Sequence, residues 1–343
     1  MTNPLRNAIG FAASCVAATF LLTTRGAAHP EVPAPNWDHV APVLAEHCVS
    51  CHRPGGHAAL ALDTYEAARW AASAIKRTVL DRSMPPWRAA PGFGEFANDA
   101  SLAASEVELI AAWADGGARK GEGDRLEMAP PPLAAASPDL VLRGESQRIA
   151  GAHRSFELDA GNHRERWVRG WRFLPGNESL IVQAAISIAG RGPLGTWVPA
   201  DGAVMLPEGV AYRLPARGTF AIDVRYRKTS REASDASGLA LYFAPKPRRQ
   251  AQHLSLPCGT TRMADGVRVL SVRPSLESFG DAVEIVARRP DGGIAPLGWF
   301  RNYPPNFLAT YRYRHPVALP DTSVIDVRSG DHACSADIEF VVE

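Results

Sequence analysis

Apolar residues recur at two different periods along this chain. Between positions 37 and 114 they return every third or fourth residue; beyond 139 they alternate or gather in short runs. The first rhythm is one face of an α-helix, and the second is a half-buried β-strand. Trp37, Val40, Val43 and Leu44 predict a first helix, with Asn36 as its N-cap and Pro42 tolerated within the opening turns. Ala68, Ala71, Ile75 and Leu80 predict a second over Thr64–Asp81. Val107, Leu109, Ile110 and Trp113 predict a third over Leu102–Ala114, stopped by Gly116 and Gly117. Strand patterning then marks Ser179–Ile186, Ala211–Tyr226, Leu239–Phe243, Val267–Val272, Ala282–Ala287 and Asp337–Val342. Turns such as Pro175-Gly176-Asn177 and Pro290-Asp291-Gly292-Gly293 punctuate them. The pattern predicts a multidomain chain. A small all-α domain at 29–123 is followed by a Pro/Ala-rich linker at 124–138. An all-β region of one or two antiparallel sandwiches fills 139–343, with halves near 139–250 and 251–343.

Composition narrows the picture. The chain has 343 residues, 28 of them proline and 29 glycine, and a formal net charge of +1. Near-neutral charge gives no electrostatic case for a nucleic-acid partner or an anionic membrane surface. Arg6, the apolar stretch from Ala8 to Leu22 and the small residues Gly26, Ala27 and Ala28 read as a secretory leader over 1–28, cleaved after Ala28. The stretch is too short for a stable membrane span, so none is expected after cleavage. Export places the mature chain in an oxidising compartment, most simply a bacterial periplasm. Of the five cysteines, Cys15 leaves with the leader, Cys48 and Cys51 form a motif, and Cys258 and Cys334 remain as a disulfide pair.

The motif is Cys48-Val49-Ser50-Cys51-His52, a C-x-x-C-H haem-attachment signature. Two thiols three positions apart can each form a thioether to the porphyrin edge, and the adjacent imidazole then lies under the iron as an axial ligand. A dithiol redox pair would expect a strand before it and a βαβ pattern around it, which the sequence lacks. A tetrahedral zinc site would need more soft donors nearby, and the next cysteine is Cys258. Met84, in Arg82-Ser83-Met84-Pro85-Pro86-Trp87, is the expected second axial ligand; its thioether is soft and its proline frame holds it without a helix. Trp87 is placed to wall the haem edge. His57 is the rival ligand, but only five positions past His52 it is poorly placed to reach the opposite face. His39 and His47 are expected to be exposed.

The segment 37–123 closely resembles a c-type cytochrome module of large bacterial secreted proteins. The shared residues are Cys48-Val-Ser-Cys-His52, Gly55-Gly56, Leu62-Asp-Thr-Tyr65, Met84-Pro-Pro-Trp87, Phe96-Ala-Asn-Asp99 and Trp113-Ala-Asp-Gly-Gly117. The resemblance implies one covalent haem c on Cys48 and Cys51, with iron ligated by His52 and Met84.

A second resemblance spreads over Pro138–Glu343. Trp167-Val168-Arg169, Pro175-Gly176-Asn177, Leu214-Pro-Ala216, Gly218, Tyr226, Asp235-Ala-Ser237, Pro274, Gly280 and Pro290-Asp291-Gly292 are similar to the ascorbate-dependent type II copper monooxygenases. That resemblance implies two jelly-roll-like sandwiches, each holding one copper in the family. The donors are missing here. Gln183, Ala184 and Arg225 stand at the positions of the first copper's histidines, and Ser275, Glu277 and Ile338 at those of the second copper's donors. Copper of this kind needs imidazole and thioether, so the region is expected to be copper-silent and non-catalytic. His153, His163, His253, His315 and His332 are scattered without metal-site spacing. The sequence therefore predicts an exported one-haem cytochrome that passes electrons to and from redox partner proteins, with the β-region for docking or scaffolding. Two alternatives stand beside it: a copper monooxygenase fed by its own haem, and an interaction protein with a structural haem.

Overall fold

The computed structural model describes residues 34–122, 137–199, 201–229, 232–277, 282–305, 307–330 and 333–343. The segment 1–28 predicted as a leader, with Cys15, nearly all of the Pro/Ala-rich segment, and His332 lie outside the described residues. The rest is mostly antiparallel β-sheet with three short helices, as the change of period predicts.

The helices α1 (Trp37–His47), α2 (Tyr65–Leu80) and α3 (Ala104–Asp115) pack around Trp37, Leu44, Ile110 and Trp113, all fully buried. Each begins where a polar or bonded residue satisfies its free N–H groups. The Asn36 N–H donates to His39 Nδ1 at 3.3 Å, and the Thr64 hydroxyl accepts the Ala67 N–H at 3.3 Å. The Ala103 N–H donates to Glu106 Oε2 at 2.7 Å. Gly117 at φ +83° turns the chain out of α3, a conformation that favours glycine. His47 is not exposed as expected. Its side chain is 12 % exposed and its Nε2 lies 3.4 Å from Glu106 Oε1, tying the end of α1 to the start of α3.

The first sandwich contains β1 (Leu140–Arg143), β2 (Gln147–Arg148), β3 (His153–Asp159), β4 (Arg166–Leu174), β5 (Ile181–Ile188) and β6 (Gly192–Trp197). It continues with β7 (Val204–Met205), β8 (Val210–Leu214), β9 (Thr219–Tyr226), β10 (Ser234–Asp235), β11 (Gly238–Ala244) and β12 (Arg249–Gln250). One sheet runs β1-β11-β4-β8-β12, with β7 also on β4; the facing sheet runs β3-β9-β5-β6, and β2 pairs with β10. Alternation in β5 sends Ile181, Ala184, Ile186 and Ile188 inward, to meet Trp171, Phe173 and Phe220.

The second sandwich contains β13 (Gln252–Pro257), β14 (Gly259–Arg262), β15 (Val267–Leu276), β16 (Ala282–Arg288), β17 (Ile294–Arg301), β18 (Tyr311–Leu319), β19 (Val324–Arg328) and β20 (Cys334–Val342). Its sheets run β13-β20-β15-β18 and β14-β19-β16-β17 around Phe300, Tyr303, Tyr311 and Ile325. Cys258 and Cys334 are disulfide-bonded across 76 positions. In the chain-entropy model, closing such a loop stabilises the fold by about 4 kcal/mol.

Two departures from the sequence expectation have clear physical causes. The single strand over Ala211–Tyr226 is two strands, β8 and β9, in opposite sheets. Pro215 lacks an N–H, Arg217 takes a left-handed conformation at φ +54°, and the buried Asn162 side chain stitches the corner. Its amide donates to Pro215 O at 2.7 Å and its Oδ1 accepts the Gly218 N–H at 3.0 Å. Second, the chain after Met84 does not stay with the helices. Ala89 bridges Phe300 on β17, and Phe96 bridges Tyr313 on β18. The Ala90 N–H donates to Trp299 O at 2.7 Å, and the Ala97 N–H to Arg312 O at 2.7 Å. Residues 88–98 thus line the open edges of both second-sandwich sheets, and Phe96 enters that sandwich's core.

Candidate functional site

The C-x-x-C-H segment forms where α1 runs out. Cys48 is the C-cap, and the Cys48 and Val49 N–H groups both donate to Leu44 O, at 2.9 and 3.0 Å. A further turn follows, closed by the His52 N–H on Cys48 O at 2.9 Å, while fully buried Val49 anchors it from below. Both thiols are half-buried and unbridged. Burial, with Cys51 beside it, pushes the Cys48 thiol up to about 12; burial also raises Cys51. Dithiol redox pairs need a lowered thiol pKa, commonly supplied by a helix N-terminus. This pair sits at a helix C-terminus, the negative end of the dipole.

His52 is oriented by its own loop. Its Nδ1 lies 2.8 Å from Leu60 O, so the protonated Nδ1 donates to that carbonyl and Nε2 keeps its lone pair for a ligand. The loop between them is fixed by the Leu62 N–H on His52 O at 2.8 Å and the Ala58 N–H on Cys51 O at 3.0 Å. Gly56 is required here, because a Cβ would come within 2.6 Å of Cys51 O.

Two contacts tie this loop to the first sandwich. Arg53 pairs with Glu178 at 2.6 Å. The Arg227 guanidinium lies 2.8 Å from His57 Nε2 and donates to His57 O at 2.9 Å. Burial and then Arg227 lower the His57 pKa. The imidazole of the rival ligand is engaged by an arginine.

Met84 stands just past α2, where the Ser83 and Met84 N–H groups both donate to Thr78 O, at 3.0 and 3.1 Å. Its side chain is 43 % exposed, unusual for methionine, and it lines a cavity of about 410 Å3 with Val79, Leu102, Val107 and Trp87. That volume lies within the range of cofactor pockets. The lining does not include Cys48, Cys51 or His52; Val107 of α3 lines the cavity, while the neighbouring Glu106 contacts His47, which precedes Cys48. Trp87 lines this cavity while its ring packs edge-on against Tyr311 at 4.7 Å. The loop bearing Met84 thus leans on the second sandwich, whereas the loop bearing His52 leans on the first.

The positions matched to copper donors carry other contacts. Gln183 and Arg225 face each other across β5 and β9, and the Arg225 guanidinium donates to Gln183 Oε1 at 3.1 Å. Ala184 and Ile338 are fully buried in the two cores. Ser275 pairs with Ser335 across β15 and β20 and is partly exposed, and Glu277 is exposed. Ile338 points inward opposite Val272, so strand alternation puts it on the opposite face from Ser275.

His153, His163 and His315 are exposed. His253 is instead packed between the sandwiches, stacked on Tyr212 at 6.0 Å and 3.9 Å from Glu339. Tyr212 donates to Glu339, whose second oxygen accepts from Ser271 at 3.1 Å, and this buried polar cluster joins the sandwiches. Sequence reasoning misses it because its members are unremarkable until the halves meet. Among the described residues, Glu46, His47 and Glu106 are the one convergent group of three metal-ligating side chains.

No family model and no curated protein sequence matches the chain. Among solved structures, the major capsid protein P2 of bacteriophage PM2 is similar over 59 % of this chain and 97 % of its own, at 12 % identity and a TM-score of 0.33. Oxalate decarboxylase from Bacillus subtilis is similar over 61 % of this chain and 74 % of its own, at 8 % identity and a TM-score of 0.17. A cupin 2 conserved barrel protein from Leptotrichia buccalis covers 62 % and 93 %, at 10 % identity and a TM-score of 0.16. Likenesses this distant carry no functional argument. Among the described residues no helix is long and apolar enough to cross a membrane.

Proposed function

We propose that the chain is an exported one-haem c-type cytochrome whose work is electron transfer, with a non-catalytic β-region that scaffolds the haem site and docks redox partners. The observation that carries this reading is His52, held by Leu60 O with Nε2 left as a donor, next to two free thiols in haem-attachment spacing. The donor set fits the group in kind. Cys48 and Cys51 supply thioethers, His52 supplies imidazole, and Met84 presents an unpacked thioether to a cofactor-sized cavity. A bound haem would supply a one-electron Fe(III)/Fe(II) couple. Cys48 and Cys51 would hold it covalently, and His52 and Met84 would ligate its iron, a donor pair suited to electron transfer.

The Cys258–Cys334 disulfide supports an oxidising compartment, in keeping with the leader and a periplasmic location. In this reading the helical part is a cytochrome c fold and the sandwiches are jelly-roll-like relatives of the copper monooxygenases. The Arg225–Gln183 pair weighs against a copper role, because an arginine cannot shed its proton to become a ligand.

Elemental analysis of the purified mature protein separates the readings. Iron equimolar with the chain and copper at background are expected. Equimolar copper that resists mild chelation would favour a fused monooxygenase.

A further inference from the structure

We infer that Glu46, His47 and Glu106 form a binding site for a divalent transition-metal ion, best matched by zinc, at the junction of α1 and α3. The site uses none of the proposed haem ligands and does not rest on the haem reading.

The fold of the helices brings the donors together. Glu46 and His47 end α1, and Glu106 lies in the first turn of α3. One ligand atom from each, an imidazole nitrogen and two carboxylate oxygens, lies within 4.8 Å of the other two. The side chains of His47 and Glu106 are 12 % and 26 % exposed, so two of the three donors are largely withdrawn from water. Glu106 divides its carboxylate between two tasks. Its Oε2 accepts the Ala103 N–H at 2.7 Å, which fixes the side chain, and its Oε1 faces His47. A ligand oriented by an outer hydrogen bond of this kind is the usual arrangement at a metal.

The spacing suits a shared ion better than a direct bond. His47 Nε2 and Glu106 Oε1 are 3.4 Å apart. A charge-assisted hydrogen bond would draw them to about 2.7–2.9 Å. Two donors on one tetrahedral zinc, each bonded at about 2.0–2.1 Å, stand roughly 3.3–3.4 Å from each other.

Charge points the same way. Two carboxylates face one imidazole, and a proton on Nε2 could offset only one of them. A divalent cation balances both and accepts a lone pair from all three donors. His47 also closes α1, whose C-terminal dipole end favours a cation. Imidazole with carboxylate suits zinc and its neighbours, whereas magnesium and calcium take oxygen donors. Three protein donors leave a fourth position for water. An ion there would cross-link α1 to α3 one residue before Cys48.

The test uses the purified mature protein, treated with a mild chelator, freed of it and titrated calorimetrically with zinc sulfate. One equivalent should bind, and excess magnesium should not displace it. Glu46→Gln and Glu106→Gln should each weaken binding by about tenfold or more, at least what loss of an outer-shell partner costs. Both variants should fold, because Glu46 is exposed and glutamine at position 106 can still accept the Ala103 N–H. X-ray absorption at the zinc edge should show nitrogen and oxygen donors at about 2.0–2.1 Å and no sulfur. Absence of saturable binding, or binding that Glu46→Gln leaves unchanged, would reduce His47 and Glu106 to an ion pair and overturn this inference alone. Sulfur at about 2.3 Å would put the zinc on Cys48 and Cys51, overturning this site and counting against thioether-linked haem as well.

Discussion

Phe96→Ala is expected to destabilise the protein by about 3–5 kcal/mol, the range for truncating a buried aromatic side chain. Phe96 is 4 % exposed. Its ring lies 5.2 Å from Tyr313, 5.4 Å from Tyr311, 5.9 Å from Trp87 and 6.3 Å from Phe300. Tilted and edge-on pairs of this kind add about 0.5–1.5 kcal/mol each beyond simple burial. Phe96 seats the segment that follows the Met84 loop in the core of the second sandwich. Trp70→Ala is the internal contrast. Trp70 is 82 % exposed, and its loss should change stability by no more than about 0.5 kcal/mol. Denaturant titration of both variants checks the pair. Equal effects would mean that the segment 88–98 is not seated in the sandwich.

Met84→Ala should have the largest effect on chemistry. Thioether is a soft, neutral donor that favours Fe(II) and raises the potential of His/Met haems. Without it the ferric protein should lose its sulfur-to-iron charge-transfer band near the red edge of the visible spectrum. Its potential should drop, and the sixth position should become open to added imidazole. Stability should change little, because the side chain is already 43 % exposed before any cofactor is bound. His57 should not replace it, held as it is by Arg227. An unchanged band in the variant would assign the sixth position to another residue.

What was legible in the sequence was local. The three helices follow from apolar spacing, with Asn36 at the start of the first, and the motif residues are recognisable because their chemistry lies within five consecutive positions. The β-rich character of the second half follows from alternation alone. What was not legible depends on partners far along the chain. His47 reads as an exposed histidine until Glu106 arrives on another helix. Asn98 and Thr310 are 212 positions apart, and nothing local marks 88–98 as a strip that borders β17 and β18. Those two strands themselves contain Pro296, Gly298 and Pro316, which break the usual strand signal.

In the proposed reading this arrangement gives the β-region a physical role, bracing the two loops that carry His52 and Met84. His52's loop is tied to the first sandwich through Arg53 and Arg227, and Met84's loop leans on the second through Trp87 and residues 88–98. In the proposed reading the iron's two axial ligands are carried on loops braced by different sandwiches.

The central claim is covalent haem on Cys48 and Cys51, and its most direct test is the intact mass of the purified mature protein in acidified organic solvent. Thioether-linked haem survives that treatment, so a single species is expected, heavier than the polypeptide by one haem. A mass equal to the polypeptide alone, with all the haem released to the organic phase or none present, would contradict the account.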